Sequence, residues 1–345
     1  MDMLDPTKIS SMFHAAVGIP DRKSTLSQSE EFKSFRSSYP LKNVAVDLHE
    51  FEWRYFEGGD KKTPLLLCIP GASGTAECLF RQLTGLCPKG YRVVASQPPP
   101  YYTVNEFVVG MDAFLDHLAP TEVHIFGASL GGFLVQQYCV HRPKRVSSMI
   151  LCNSFCSTES FTNGMMTPMY QFMPTLVLKN VILSSFNPDQ VPAPVAEAID
   201  FVIEQLDTMG QGDLSSRLTL NGTAATIKGL KMGDENITLI DSLDRTARPH
   251  ELRDELWRRY PNAKKASVRV GGDFPFLSAP EEVNLYIEVH LRRVGVAVNL
   301  PKLERQSEGG QGGQGGQEMS AQPPRPKDPP PKKVVKEQKP LFQDD

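Results

Sequence analysis

The sequence predicts an α/β fold, with a mostly parallel central sheet flanked by helices and a helical insertion over one end of it. Three observations carry this expectation. From Leu41 to Leu291, short apolar runs alternate with segments of helical periodicity. One such run, Val123-His124-Ile125-Phe126, leads directly into Gly127-Ala128-Ser129-Leu130-Gly131 and then a helical stretch. The alternation lapses between about residues 154 and 232, where helical pattern alone is found. A chain of 345 residues, 40% hydrophobic, can bury a sizeable core as one large domain or two small ones.

Residues 1–31 are polar and read as a largely disordered extension. Asn43–Asp47 and Phe51–Phe56 alternate as half-buried strands, with His49-Glu50 as the turn of an antiparallel hairpin. Pro64–Ile69 is continuously apolar, as a strand covered on both faces would be. A helix over about 75–86, a strand over 91–96 and a helix over about 104–118 follow. Then come the strand before Ser129, the helix after it, and a strand over 148–152. Helices near 168–183, 194–209 and 213–220 form the expected cap, and the stripe Met165, Met166, Met169, Phe172 and Met173 reads as its packing face. The sheet resumes at Ile237–Ile240, followed by a helix over about 249–260, a strand over 266–270, the loop Gly271-Gly272-Asp273-Phe274-Pro275-Phe276 and a last helix over about 280–291. The folded domain is therefore placed at 32–297, with the cap at about 154–232. Residues 298–345 read as a disordered tail of Gly-Gly-Gln repeats and proline clusters.

The net charge of −3 supplies no overall field for nucleic acid. The acidic start Met1-Asp2-Met3-Leu4-Asp5 is not a signal peptide, no uncharged apolar run reaches membrane-spanning length, and a soluble cytosolic protein is expected. Of the six cysteines, Cys68, Cys139 and Cys152 fall in apolar strand or helix patterns and read as buried small hydrophobes; no Cys or His pair completes a zinc site with Cys152 and Cys156, and neither a metal nor a cofactor is expected. In the tail, Pro323-Pro324-Arg325-Pro326 beside basic residues offers an SH3-type contact, against the plainer reading of a solvated coil.

Gly-x-Ser-x-Gly between a strand and a helix is a nucleophile elbow, whose turn excludes bulk two residues either side of the serine. On an α/β-hydrolase sheet the chain order must be serine, acid, histidine. Ser129 is the nucleophile position. Asp244, just beyond the strand after the cap, is the acid position; its plainer reading is a turn-forming aspartate. The histidine belongs in the loop after the last strand, where Asp273 stands instead. An ionised carboxylate is an acceptor only and too weak a base to take the serine proton at neutral pH. Of the seven histidines, His250 alone is placed to reach the cap side as a substitute, and a surface or capping role suits it better. The oxyanion-hole donors would be the N–H of Leu130 and that of Gly71 or Ala72, since Pro70 has none.

The stretches Val123–Leu134, Ser148–Phe155, Ser73-Gly74-Thr75-Ala76 with Phe80-Arg81-Gln82, Ser215–Asn221, Gly271–Phe276 and Glu282-Val283-Asn284-Leu285-Tyr286 resemble the maspardin family over about residues 32–295. The resemblance implies an α/β-hydrolase fold without the loop histidine; the family commonly carries Asn at the position of Asp273. It further implies a non-catalytic protein of the cytosol and of endosomal and trans-Golgi membranes, peripherally bound. The family's partners include an aldehyde-dehydrogenase relative and a T-cell coreceptor tail; the chain's differing ends bear on whether those partners carry over. Two functions are therefore expected: a pseudo-hydrolase acting as an interaction protein in trafficking or signalling, or a serine hydrolase using Ser129 and Asp244 with a relocated base.

Overall fold

The apolar runs are strands buried on both faces. In β3 (Leu65–Ile69) Leu66 and Cys68 enter one core while Leu65, Leu67 and Ile69 enter the other. The same alternation divides β5 (Val123–Ala128), where Phe126 and Ala128 oppose Val123 and Ile125. It divides β6 (Ser148–Cys152), where Ile150 and Cys152 oppose Met149 and Leu151. A two-residue period with no polar phase demands helices on both sides, and they are present. The computed structural model describes residues 24–46, 52–162, 166–184, 191–244, 246 and 248–298.

The remaining strands are β1 (Lys42–Ala45), β2 (Glu52–Gly58), β4 (Arg92–Gln97), β7 (Ile237–Ser242) and β8 (Lys264–Val268). The described residues form one sheet in the order β1-β2-β4-β3-β5-β6-β7-β8. β1 and β2 pair antiparallel, as do β2 and β4, and every other pairing is parallel. The His49-Glu50 turn expected between β1 and β2 lies outside the described residues.

One face is covered by α1 (Glu30–Ser38), α2 (Phe80–Leu86), the short α9 (Pro275–Ser278) and α10 (Pro280–Arg293); the other by α3 (Val104–Leu118), α4 (Leu130–His141) and α8 (His250–Arg259). Ser29 caps α1 by accepting from Phe32 N, and Ser24 Oγ donates to Glu204 at 2.9 Å. With Leu26 buried, the packed structure begins ahead of the boundary set at residue 32. The tail, including Pro323-Pro324-Arg325-Pro326, lies outside the described residues from 299 onward.

The cap comprises a 3-10 turn (Thr167–Phe172), α5 (Thr175–Leu183), α6 (Ala193–Leu206) and α7 (Gln211–Gly222). The single helix expected over 168–183 is broken at Pro174, which has no N–H and holds Met173 extended at ψ 141°. The stripe expected as a packing face is divided: Met166 and Met173 pack against the core beside buried Tyr170, whereas Met169 is 54% and Phe172 is 85% exposed, and Met165 lies outside the described residues.

Candidate active site

Ser129 occupies the single-residue step between β5 and α4, at φ 48° and ψ −120°. A non-glycine residue is strained at such a φ and stays there only when its surroundings over-determine it. They do so here. Ser129 N–H donates to Cys152 O at 2.9 Å, and Ser154 Oγ–H donates to Ser129 O at 2.9 Å. The glycines of the motif are fixed by contact. A Cβ on Gly127 would lie 2.6 Å from Gly132 Cα, and one on Gly131 would lie 2.3 Å from Pro70 O.

The serine opens into a cavity of about 260 Å³ between the sheet's C-terminal edge and the cap. Gly71, Ala72 and Asp273 line it with Ser129, so four of the residues singled out in the sequence come together. Leu130, heading α4, borders the adjoining space with Ile69, Pro70 and Gly71. The loop bearing Gly71 and Ala72 is held from the cap: Arg217 of α7 donates to Ala72 O at 3.2 Å and to Gly74 O. In a trans peptide C=O and N–H oppose each other, so anchoring Ala72 O turns the Ser73 N–H away from Arg217. Burial lowers the pKa of the Arg217 guanidinium, with Asp213 and Cys78 opposing.

Asp244 lies two residues beyond β7 and does not line the cavity. Its carboxylate accepts from Gly271 N and Gly272 N at 3.0–3.2 Å, gripping the loop that carries Asp273. The bond that a triad acid gives to an imidazole is thus made to backbone. Asn153 braces the same loop. Its Nδ2 donates to Gly272 O at 2.9 Å and Ser242 Oγ at 3.3 Å, while its Oδ1 accepts from Ser242 N at 2.9 Å. It sits at φ 45°, a conformation Asn tolerates better than most residues. Behind it, Asp241 is ion-paired with Arg248 at 2.7 Å and accepts from Trp257 Nε1 at 2.7 Å. Arg248 also donates to Ser154 O and reaches the cavity wall.

No imidazole of the described residues bonds to Ser129 Oγ. His117 contacts Tyr55 OH, His141 contacts Gln137 O, and His124 and His290 share Ser148 Oγ. His250 is exposed at the start of α8. Cys78 borders the cavity, but burial pushes its thiol up to about 11, so no thiolate nucleophile is present at neutral pH. Among the described residues no His/Cys/Asp/Glu group could hold a metal, and no helix is long and apolar enough to cross a membrane.

Asn153, Arg217 and the Asp241–Arg248 pair were not identified from sequence as parts of the site. An Asn directly after a buried strand is a usable signal for Asn153, and an arginine between Leu214 and Leu218 on an apolar helix face is one for Arg217. Nothing in the sequence joins Arg248 to Asp241.

Residues 64–189 match a family model described as the alpha/beta hydrolase fold. The chain is similar to human maspardin, 40% identical over 268 residues that span 76% of this chain and 87% of the relative. It is similar to zebrafish (Danio rerio) maspardin, 39% identical over 270 residues that span 77% and 86%. Among solved structures, a thermophilic esterase from Thermogutta terrifontis superimposes with a TM-score of 0.60 at 15% identity, covering 74% of this chain and 98% of that one. The likeness to the esterase is one of fold alone. The identity and coverage shared with the maspardins, on this elbow and this sheet order, place the chain in the maspardin family of α/β-hydrolase-fold proteins.

Proposed function

We propose that this chain is a non-catalytic α/β-hydrolase-fold protein that acts by binding other proteins in intracellular trafficking or signalling. The observation that carries the reading is Asp273, which borders the cavity where a hydrolase needs a neutral base, while each described histidine is placed elsewhere. Serine hydrolysis without its base falls back on the residual rate supplied by oxyanion donors and binding. The elbow persists on structural grounds, because Gly127 and Gly131 are in backbone contact and Ser129 is clamped through its main chain. The partner class, the SH3-type contact at Pro323–Pro326 and peripheral association with endosomal or trans-Golgi membranes are parts of this proposal that the family resemblance motivates.

A second reading, a serine hydrolase acting through Ser129 and Asp244, is favoured by the strained elbow and the open cavity. Hydrolysis of short esters by the full chain and by Ser129→Ala separates the two. Equal, near-background rates support the proposal; a wild-type rate lost in the variant overturns it. Affinity purification of the full chain and of a chain ending at residue 300 then tests the interaction role. Absence of any specific partner from both sinks it.

A further inference from the structure

We propose that the N-terminal segment of the chain folds back as an amphipathic helix over residues 6–17 and docks its apolar stripe on the exposed face of the cap at Met169, Phe172, Leu176 and Val177.

The surface is built by the cap. Phe172, at 85%, is the most exposed large apolar side chain among the described residues, and Met169 is 54%, Leu176 40% and Val177 42% exposed. All four lie on the 3-10 turn and the first turn of α5. Single exposed apolar residues need no explanation, but a run of them on one element marks a contact surface.

Where the described chain begins identifies the occupant. Residues 1–23 lie outside the described residues. Ser24 is tied to the cap: its N–H and its Oγ–H both donate to Glu204 Oε2 of α6, at 3.0 and 2.9 Å. Asp207 follows one helical turn after Glu204 and pairs with Lys179 of α5 at 2.8 Å. Lys179 stands one turn after Leu176. The segment therefore joins the fold two helical steps of about 5–6 Å and one ion pair away from the patch. Residues 18–23 alone can span about 24 Å when extended, enough to cover that path.

The segment carries a matching stripe. Within its polar composition, Ile9, Met12, Phe13, Ala16 and Val17 recur at i, i+3, i+4, i+7 and i+8, the spacing of one helical face. Asp5 stands at the N-cap position, Pro6 at the first helical position, Gly18 just past the end and Pro20 beyond it. A helix of about twelve residues is marginal alone in water. It gains its stability by burying the stripe, and the cap presents apolar side chains within its reach.

Charge favours this occupant over an anionic lipid surface. Along α6 and its C-cap, Glu197, Asp200, Glu204 and Asp207 recur at intervals of three and four, so they share one acidic face. Arg22 and Lys23 directly precede Ser24 and its bond to Glu204. The acidic face attracts the chain's own basic pair and repels a membrane of anionic lipid.

Hydrogen–deuterium exchange of the full chain, read by mass spectrometry, tests the contact. Amides 9–17 of the wild type are expected to exchange at least about tenfold more slowly than in an unstructured chain. Phe172→Ser, at an exposed position outside the core, and Ile9→Ser/Phe13→Ser, within the segment, should each reduce that protection below about threefold. Peroxide should oxidise Met169 at least about threefold faster in Ile9→Ser/Phe13→Ser than in the wild type, because the stripe no longer covers it. Unprotected amides in the wild type, protection that survives Phe172→Ser, or equal oxidation of Met169 in the two proteins would each overturn the proposal. Protection that rises with protein concentration would overturn it in favour of a second copy of the chain. Protection found only with phosphatidylserine vesicles would overturn it in favour of a lipid surface.

Discussion

Acidification should destabilise this protein through one buried histidine. His290 of α10 is 1% exposed, with Nδ1 2.7 Å from Thr238 Oγ1 and Nε2 2.7 Å from Ser148 Oγ. Arg293 also donates to Nδ1 at 3.2 Å, so Nδ1 is the acceptor and Nε2–H donates to Ser148. Ser148 can then donate to His124 Nδ1 at 2.7 Å, and the chain ends at His124 Nε2, 3.7 Å from Glu122. The hydrogen bonds at His290 and at His124 Nδ1 suit two neutral rings, while His124 Nε2 is buried without a hydrogen-bond partner among the described residues. Burial, then the charge of Arg293, then His124, lower His290 from 6.5 to about 3. The folded pKa is depressed, so the stability is fully present above the unfolded value of 6.5 and is lost as pH falls toward 3. Between about pH 7 and about pH 5 the unfolded chain takes up the proton and the folded chain does not, a loss of about 2 kcal/mol. Urea denaturation of wild type and His290→Gln at stepped pH values isolates the effect. The wild type should show an additional loss of about 2 kcal/mol over that interval that the variant lacks. Parallel stability–pH curves for the two proteins would refute the reasoning.

The site supplies three more predictions. Asn153→Ala removes the brace to Gly272 and Ser242, leaves their buried groups unpaired, and puts Ala at φ 45°; denaturant titration should show a loss of about 3 kcal/mol, and less than about 1 would contradict the brace. Gly131→Ala drives a methyl against Pro70 O and should cost about 3 kcal/mol or fail to fold, measured by thermal melting; a wild-type melting temperature would contradict the contact. Asp273→His puts an imidazole at the loop position beside Asp244 and should raise Ser129-dependent ester turnover by about 100-fold over wild type, assayed against the Asp273→His/Ser129→Ala double variant; no gain would show that position 273 does not reach the serine.

What could be read from sequence was local. The elbow glycines follow from the geometry of one turn, and Gly127 and Gly131 meet backbone where that turn requires it. The strand runs were legible because burial on both faces leaves no polar phase, and α3 begins and ends where its periodicity does. Asp273 was legible because it holds a fixed place after the last strand. What was missed joins distant segments. Asn153 meets a loop near 272, Arg217 meets a loop near 72, and His290 meets Ser148; no periodicity encodes such pairs. The cap was misread at one proline: Pro174 separates a 3-10 turn from the helix after it, and Met169 and Phe172 of that turn are exposed where a packing face was expected. Asp244 was placed correctly beyond its strand, but its partners, two backbone amides, depend on how the loop folds.

The central claim is that Ser129 is held as a nucleophile would be held but lacks the base that would activate it. A fluorophosphonate probe reacts with activated serines, and comparing labelling of the full-length wild type with Ser129→Ala asks the question most directly. The account predicts that the two proteins label equally and at background. Strong labelling of the wild type that disappears in Ser129→Ala would contradict it.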